Sequence, residues 1–525
     1  MPGLTENLQL LTPEFALAGL ALLVFAVDLF LPQARKSWLA LLSILGLLGL
    51  AALSVAMLQG RQETLYGGLL AVDRYALVFK VFFLGLGVLI ILASVDFVRR
   101  HLSHPGEFYG LLLLSILGMN VMAQARELLT AYIALELLSF SLYVLTAYAR
   151  SNPKSNEAGL KYIIIGAFSS ALLLYGLSMV YSSLGATYFA SIRDALSSGG
   201  AAGPALWVGL ALLVAGLGFK LAAVPFHLWA PDVYEGAPLP ITAYLAIGSK
   251  AAAFALVLRL FAEGIVPAAD FWSRWQIIVA VMAAITLLVG NLVALAQHNL
   301  KRLMAYSSIA HVGFLLTGIA ALGPDSTLVA NGIIFYLVGY AVTSIVVFAG
   351  IIAFFNHTGQ EEIADLAGLA DRQPLLAAAL AIGLFSLSGL PIFAGFTIKF
   401  YLFTAVAQAG FLWLAAVAVL GSFISLYYYL QVIRQMYIQP VAGAAASQGH
   451  GDAGSHAGGT PPPGGSHGEA LDAPVSEHPS AIPSPGWLLL LALGLGLVGV
   501  FWLGVYPAPL LEVIEGASRA ILPGS

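Results

Sequence analysis

An all-α polytopic membrane fold of about fourteen transmembrane helices is what this sequence predicts, and three observations predict it. Of the 525 residues, 60% are hydrophobic and only 9% are charged, where a soluble domain carries about 25% charged residues. The apolar residues come in runs of about 20, the length that crosses a bilayer core of about 30 Å. Fourteen spans of about 22 residues would use about 310 positions, close to the hydrophobic total. Together these exclude a soluble enzyme, a nucleic-acid binder and an outer-membrane barrel, whose strands are short and alternating. Cysteine is absent, so the chain offers no thiolate to a disulfide, a zinc ion or an iron–sulfur cluster. The N-terminus has no basic region before its first apolar run, so the first helix reads as retained rather than cleaved.

In chain order the apolar segments fall at 13–31, 37–58, 72–96, 107–124, 127–149, 157–185, 204–230, 237–262, 272–297, 300–322, 327–356, 373–407, 410–438 and 485–507. Only a short turn at Gln297, His298 and Asn299 parts the ninth from the tenth. Residues 1–103 hold the first three segments, 104–265 segments 4–8, 266–440 segments 9–13, and 486–525 the last helix and tail. Residues 441–485 are rich in Gly, Ala, Ser and Pro and include His450, His456, His467 and His478. Such a stretch cannot bury enough apolar surface to order itself, so it reads as a disordered cytoplasmic loop with no assigned chemistry.

Loop charge predicts orientation. One side collects Arg35, Lys36, Arg99, Arg100, Arg150, Lys154, Lys161, Lys301, Arg302, Arg372 and Arg434; the other collects Arg61, Arg74, Arg126, Arg193, Arg259, Arg274 and Arg519. The first, richer side is expected to be cytoplasmic, which places both termini on the periplasmic side.

Charges inside the apolar segments carry the functional argument. Of eight lysines, Lys80, Lys220, Lys250 and Lys399 lie within segments; Glu136 sits mid-segment in the fifth, and Asp28 near the end of the first. An ionisable residue at bilayer depth costs about 2.5–3.5 kcal/mol on insertion scales, and such residues mark ion or proton paths. Burial disfavours the lysine ammonium, whereas a nearby carboxylate restores it. A Glu136–Lys220 pair is therefore a switch: close together, the lysine holds its proton; apart, it releases it. Arginine stays charged and cannot do this. Static ion pairs locking helices together are the alternative reading, and Lys80 and Asp28 read equally well as snorkelling or locally paired.

Two segments carry internal breaks. Segment 7 has Lys220 and Pro225 near Gly216 and Gly218; segment 12 has Gly389, Pro391, Gly395 and Lys399. Proline removes a backbone hydrogen bond and clashes one turn back, which a membrane tolerates where the freed groups are buried in protein or line a wet cavity. Paired interruptions in two halves predict an inverted-repeat transporter, with segments 4–8 and 9–13 as two five-helix repeats and helices 7 and 12 discontinuous. His227, beside Pro225, and His311, within segment 10, are either relays or hydrogen-bonded packing residues; imidazole passes protons near neutral pH. No Walker loop and no dinucleotide fingerprint occurs, so a proton path here needs a partner or an existing gradient.

The run from Phe219 through Lys220, Pro225, His227, Trp229, Pro231, Asp232, Tyr234, Glu235 and Pro238 to Lys250 resembles the proton-conducting membrane module of respiratory complex I and its antiporter relatives. So do Asn299 to Gly313, with Lys301, Arg302, Tyr306 and His311, and Gly389 to Phe400. The resemblance spans roughly residues 100–440, and departs from the family where Ile392 and Phe393 follow Pro391 and in the 441–485 insertion. It implies that Glu136 and Lys220 occupy the family's ion-pair positions, Lys250 the central lysine linking two half-channels, and Lys399 the terminal lysine, with His227 and His311 at less firm polar-axis positions. It also implies a proton-translocating subunit of an NADH–quinone oxidoreductase in a bacterial inner membrane. NADH, FMN, iron–sulfur clusters and quinone would then be handled by other subunits, with no redox centre in this chain. Its partners would be neighbouring antiporter-like and small membrane subunits and the lipid bilayer, with no nucleic acid. The same motifs suit a subunit of a multisubunit cation/proton antiporter or of a membrane-bound hydrogenase-type complex.

Overall fold

Each expected apolar segment is helical in the computed structural model, which describes residues 3–198, 203–323, 326–440 and 485–522. The unbroken spans are α1 (Thr12–Phe30), α2 (Ser37–Leu58), α3 (Arg74–His101), α4 (Pro105–Gln124), α5 (Leu128–Thr146), α6 (Pro153–Leu184), α8 (Leu239–Ile265), α9 (Ala269–Ala294), α10 (Leu300–Ala320), α11 (Thr327–Thr358), α13 (Leu412–Tyr437) and α14 (Trp487–Val505). Segments 7 and 12 are split, as expected, into α7a (Pro204–Leu221) and α7b (Trp229–Gly236), and into α12a (Pro374–Ser388) and α12b (Ala394–Gln408). The turn at Gln297–Asn299 does separate α9 from α10. The histidine-bearing stretch 441–484 lies outside the described residues.

Short polar residues set the helix starts. Asp73 accepts the Ala76 amide at 2.7 Å, Glu127 the Thr130 amide at 2.6 Å, and Asn299 the amides of Lys301 and Arg302 at 2.9 and 3.2 Å. Each satisfies a first-turn donor that the helix itself cannot. Gly185 and Gly359 end α6 and α11 in the left-handed region, at φ 65° and 68°.

The two breaks are built differently. After α7a, Ala222 turns to φ 61°, the Ala223 amide bonds back to the Gly218 carbonyl at 2.8 Å, and the Trp229 indole donates to the Phe219 carbonyl at 3.0 Å. After α12a, Gly389 and Ile392 take φ 92° and 80°, and Gly395 then presses onto α12a so closely that a Cβ there would lie 1.6 Å from the Ser386 carbonyl oxygen. Only glycine fits that approach.

Helix α8 sits at the centre, buried along its whole length among α3, α4, α5, α7a, α10 and α11. It is wound as two π-turns, Leu245–Ser249 and Phe261–Ile265, flanking a regular stretch Lys250–Leu260. The outer helices turn large apolar side chains outward, among them Phe30, Ile164, Phe168, Phe423 and Val498, as lipid contact requires. Elements outside the predicted segments include a hairpin of β1 (Glu63–Leu65) and β2 (Leu70–Val72), short helices at Leu4–Leu10, Phe189–Ser197 and Leu369–Arg372, and a helix Ala508–Arg519 after α14.

Candidate functional site

A chain of buried polar side chains runs through the helix breaks and α8. Glu136, Ser139 and Tyr143 recur at three and four residues on α5, so they share one face. Facing them, the Lys220 ammonium donates to Ser139 Oγ at 2.8 Å, Ser170 Oγ at 3.3 Å and Tyr143 OH at 3.4 Å, and lies 3.5 Å from Glu136 Oε1. Ser170 of α6 donates to the same carboxylate oxygen at 2.6 Å. Lys220 stands at the C-terminal end of α7a, where the helix dipole favours a cation.

Lys250 opens the regular stretch of α8 directly after its first π-turn. Its ammonium bonds to Ser308 of α10 and lies 5.6 Å from the centre of the Tyr234 ring. Ser308 also meets the Tyr234 hydroxyl at 3.4 Å. One turn further along α10, His311 is buried, bonds through Nδ1 to the Tyr336 hydroxyl at 2.8 Å and packs on the Tyr340 ring at 4.5 Å. Its ring also meets that of Phe314 edge-on, the ring beside which Lys399 sits. Lys399 completes the row. It donates to the carbonyls of Leu387 and Ser388 at 2.7 and 3.1 Å, groups freed by the end of α12a, and sits 4.9 Å from the Phe314 ring.

Between Lys220 and Lys250 the contact is aromatic. Lys220 rests on Tyr143 and Phe219, Trp229 stacks on Tyr162 at 4.7 Å, and Trp229 meets Tyr234 edge-on beneath Lys250. Among the described residues no direct hydrogen bond joins Lys220 to Lys250. Of the candidate residues only Glu136 and Lys220 are in direct contact; His227 is not hydrogen-bonded to any of the others, and its buried Nδ1 has no partner among the described residues. Lys80 and Asp28 take the local-pair reading, Lys80 with Glu14 at 2.5 Å and Asp28 with Lys36 at 2.9 Å.

Sequence reasoning passed over two groups. Arg259, counted above with the loop charges, is inside α8 and wholly buried. It grips Asp73 with two bonds of 2.8 Å, Glu263 at 2.9 Å and the Ala123 carbonyl at 2.9 Å, with the Tyr75 ring 4.7 Å away. Burial works to raise the Asp73 pKa, but the Arg259 guanidinium outweighs it and holds the carboxyl below its usual range. Lys301 and Arg302, also counted with the loops, lie in the first turn of α10. Arg302 bonds Asp232 and Glu235 of α7b at 2.8 and 2.9 Å, and those carboxylates also hold Lys161 at 2.7 Å and Lys154 at 2.9 Å. The acidic residues three apart on α7b were the available signal, since that spacing puts them on one face.

Known proteins resemble this chain along most of its length. A sequence model described as NADH:quinone oxidoreductase/Mrp antiporter, transmembrane, matches residues 125–425. The NADH-quinone oxidoreductase subunit N of Dehalococcoides mccartyi is 40% identical over 524 residues, covering 98% of this chain and 100% of that protein. A chain of respiratory complex I from Thermus thermophilus superimposes with a TM-score of 0.73 at 29% identity, over 96% of this chain and 100% of that one. A chain of the Mrp complex from Dietzia shares the fold, with a TM-score of 0.77 at 23% identity over 98% of each. With its family region covering more than half its length and its relatives matching almost end to end, the chain belongs to the NADH:quinone oxidoreductase/Mrp antiporter membrane family, among the N subunits of NADH-quinone oxidoreductase.

Proposed function

We propose that this chain is a proton-translocating membrane subunit of an NADH–quinone oxidoreductase, moving protons along Lys220, Lys250, His311 and Lys399 with Glu136 setting the charge of Lys220. The observation that carries this reading is the row of buried lysines, each held by hydroxyls, a ring or backbone carbonyls, and only the first within reach of a carboxylate. Residues that hold an ammonium without neutralising it suit a proton carrier rather than a structural ion pair. His227 joins the path through its buried, unpartnered Nδ1.

The helix order supports two five-helix repeats, 104–265 and 266–440. Helices α7 and α12 are the fourth members of each, both broken, and they enter the membrane from opposite faces, as inverted repeats require. The bacterial inner membrane is the proposed location, with both termini periplasmic on loop charge. NADH, FMN, the iron–sulfur clusters and quinone are assigned to partner subunits; with no cysteine in the chain, its donor set does not fit a cysteine-ligated cluster. Neighbouring antiporter-like and small membrane subunits are the proposed partners.

The test is Lys250→Arg in the purified complex sealed into vesicles. Arginine keeps the charge and releases no proton, so the protons moved per electron should fall while the complex still assembles. An unchanged ratio overturns the reading. The likeness to the Mrp chain favours a second reading, a subunit of a cation/proton antiporter. Recovery of sodium-tolerant growth in a host stripped of its own antiporters would select it.

A further inference from the structure

We propose that Glu361 and Lys301 form the inlet through which protons reach Lys250, an assignment that rests on the proton-path reading above. A cavity of about 170 Å³ opens on the face that carries residues 150–154 and 359–373, lined in part by Phe97, His101, Asn152, Ala237, Lys301 and Glu361. At its floor the Lys301 ammonium meets Glu361 Oε1 at 2.7 Å. The two groups differ in their access to water: the Lys301 side chain is 6% exposed and that of Glu361 22%. The carboxylate is the solvent-facing member and the ammonium the buried one.

From Lys301 a seam of polar contacts leads inward toward Lys250, broken once, where the Tyr234 ring separates its main-chain carbonyl from its hydroxyl. Lys301 donates to the Ala237 carbonyl at 3.4 Å, at the junction of α7b and α8. Thr242 Oγ1 donates to the Ala237 and Tyr234 carbonyls at 3.4 and 2.9 Å. The Tyr234 hydroxyl meets Ser308, and Ser308 meets Lys250. Lys301 and Ser308 are seven residues apart on α10, two turns and about 10 Å along one helix face. Carbonyls accept but do not donate, so the seam works by orienting water, which needs two to four polar partners to be held.

The proton balance is simple. The Lys301 ammonium gives one proton inward and becomes an amine. The Glu361 carboxylate takes one proton from the aqueous side and passes it to that amine, restoring the ion pair. The next residue does the opposite job. Arg302, which releases no proton, ties α7b to α10 through Asp232 and Glu235 and so fixes the wall on which Ala237 stands. One dipeptide supplies both a relay and a clamp.

The experiment compares Lys301→Arg, Lys301→Met and Lys250→Arg in the purified complex sealed into vesicles, with assembly checked by the amount of intact complex on a native gel. If Lys301 only braces the fold through its ion pair, arginine restores what methionine loses. If it relays, both variants lower the protons moved per electron to the value of Lys250→Arg, and combining Lys301→Arg with Lys250→Arg lowers it no further. A Lys301→Arg complex that pumps as the parent does, beside a Lys250→Arg complex that has lost pumping, overturns the inlet and leaves the path standing. A Lys250→Arg complex that pumps normally overturns both. Independently, the chain has no cysteine, so Ser151→Cys places a single thiol in this subunit at the cavity wall. A bulky, membrane-impermeant thiol reagent added from the cavity side should lower the ratio to the same value in that variant and leave the parent complex unchanged. An unaffected Ser151→Cys complex, shown by mass to be labelled, counts against the inlet.

Discussion

Lys220 and Lys399 both stand at a break in a helix, yet the two regions hold their lysines by different means. Around Lys220 the partners are side chains: a carboxylate, two serines and a tyrosine, from α5 and α6. Around Lys399 they are main-chain carbonyls of α12a and a phenylalanine ring. The first arrangement can be altered by moving one helix past another. The second is fixed to the break itself, because the carbonyls exist as acceptors only where α12a ends. The difference teaches that a similar breakpoint can hold a lysine beside a carboxylate from another helix in one place and in a rigid, uncharged cradle in the other.

That comparison can be broken first at its glycines. Gly395→Ala would set a Cβ 1.6 Å from the Ser386 carbonyl oxygen, backbone that cannot swing away. It should cost well over the ~1–3 kcal/mol of ordinary overpacking and leave little assembled complex on a native gel. At the other break, Gly218→Ala meets only the Phe226 ring, at 2.8 Å, and should assemble with a loss of about 1–2 kcal/mol in thermal stability. Equal outcomes for the two would erase the distinction between a rigid and an adjustable break.

Charge is the next lever. Glu136→Gln leaves Lys220 with uncharged partners alone, the condition Lys399 already has in its carbonyls, and should remove most proton transfer while the complex still forms. Lys220→Arg should assemble with its carboxylate pair intact and lose proton transfer as well, since arginine does not release a proton. Proton-to-electron ratios in sealed vesicles read both, and a normal ratio in Lys220→Arg ends the switch idea. Lys399→Met should act on stability too. It strips the donor from two buried carbonyls, at about 1–3 kcal/mol for each group left unpaired, seen as a lower melting temperature of the complex in detergent. Tyr336→Phe should do least. It removes the hydroxyl that orients His311, worth about 1 kcal/mol, and should slow pumping without abolishing it.

Much of this architecture was legible in the sequence. Hydropathy located every span, because the bilayer imposes one length and one polarity on them all. The breaks at Pro225 and Pro391 were legible because proline and glycine act locally, and the lysines because charge is rare in such segments. What stayed hidden depends on packing between distant residues. Ser139, Ser170 and Tyr336 are ordinary polar residues until a lysine or histidine from another helix arrives beside them. Arg259 read as a loop charge because it falls near the end of its apolar segment; the second π-turn extends α8 past it and brings Glu263 back to its guanidinium. The hairpin at Glu63–Val72 is too short to show a periodicity, and the run around Pro225 does not reveal that the buried His227 Nδ1 is left without a partner among the described residues.

Helix α8, which carries both Lys250 and Arg259, touches no lipid along its length. A membrane of greater or lesser thickness acts on a protein through the helices that face the acyl chains, which tilt or recruit lipid to match it, at fractions of a kcal/mol per Å. That stress falls on the outer helices, such as α1, α2, α6, α13 and α14, and reaches the central lysine only after passing through a full ring of protein. The depth of Lys250 is therefore set by its neighbours rather than by the hydrocarbon around it, and a change in acyl-chain length shifts the outer helices before it shifts Lys250.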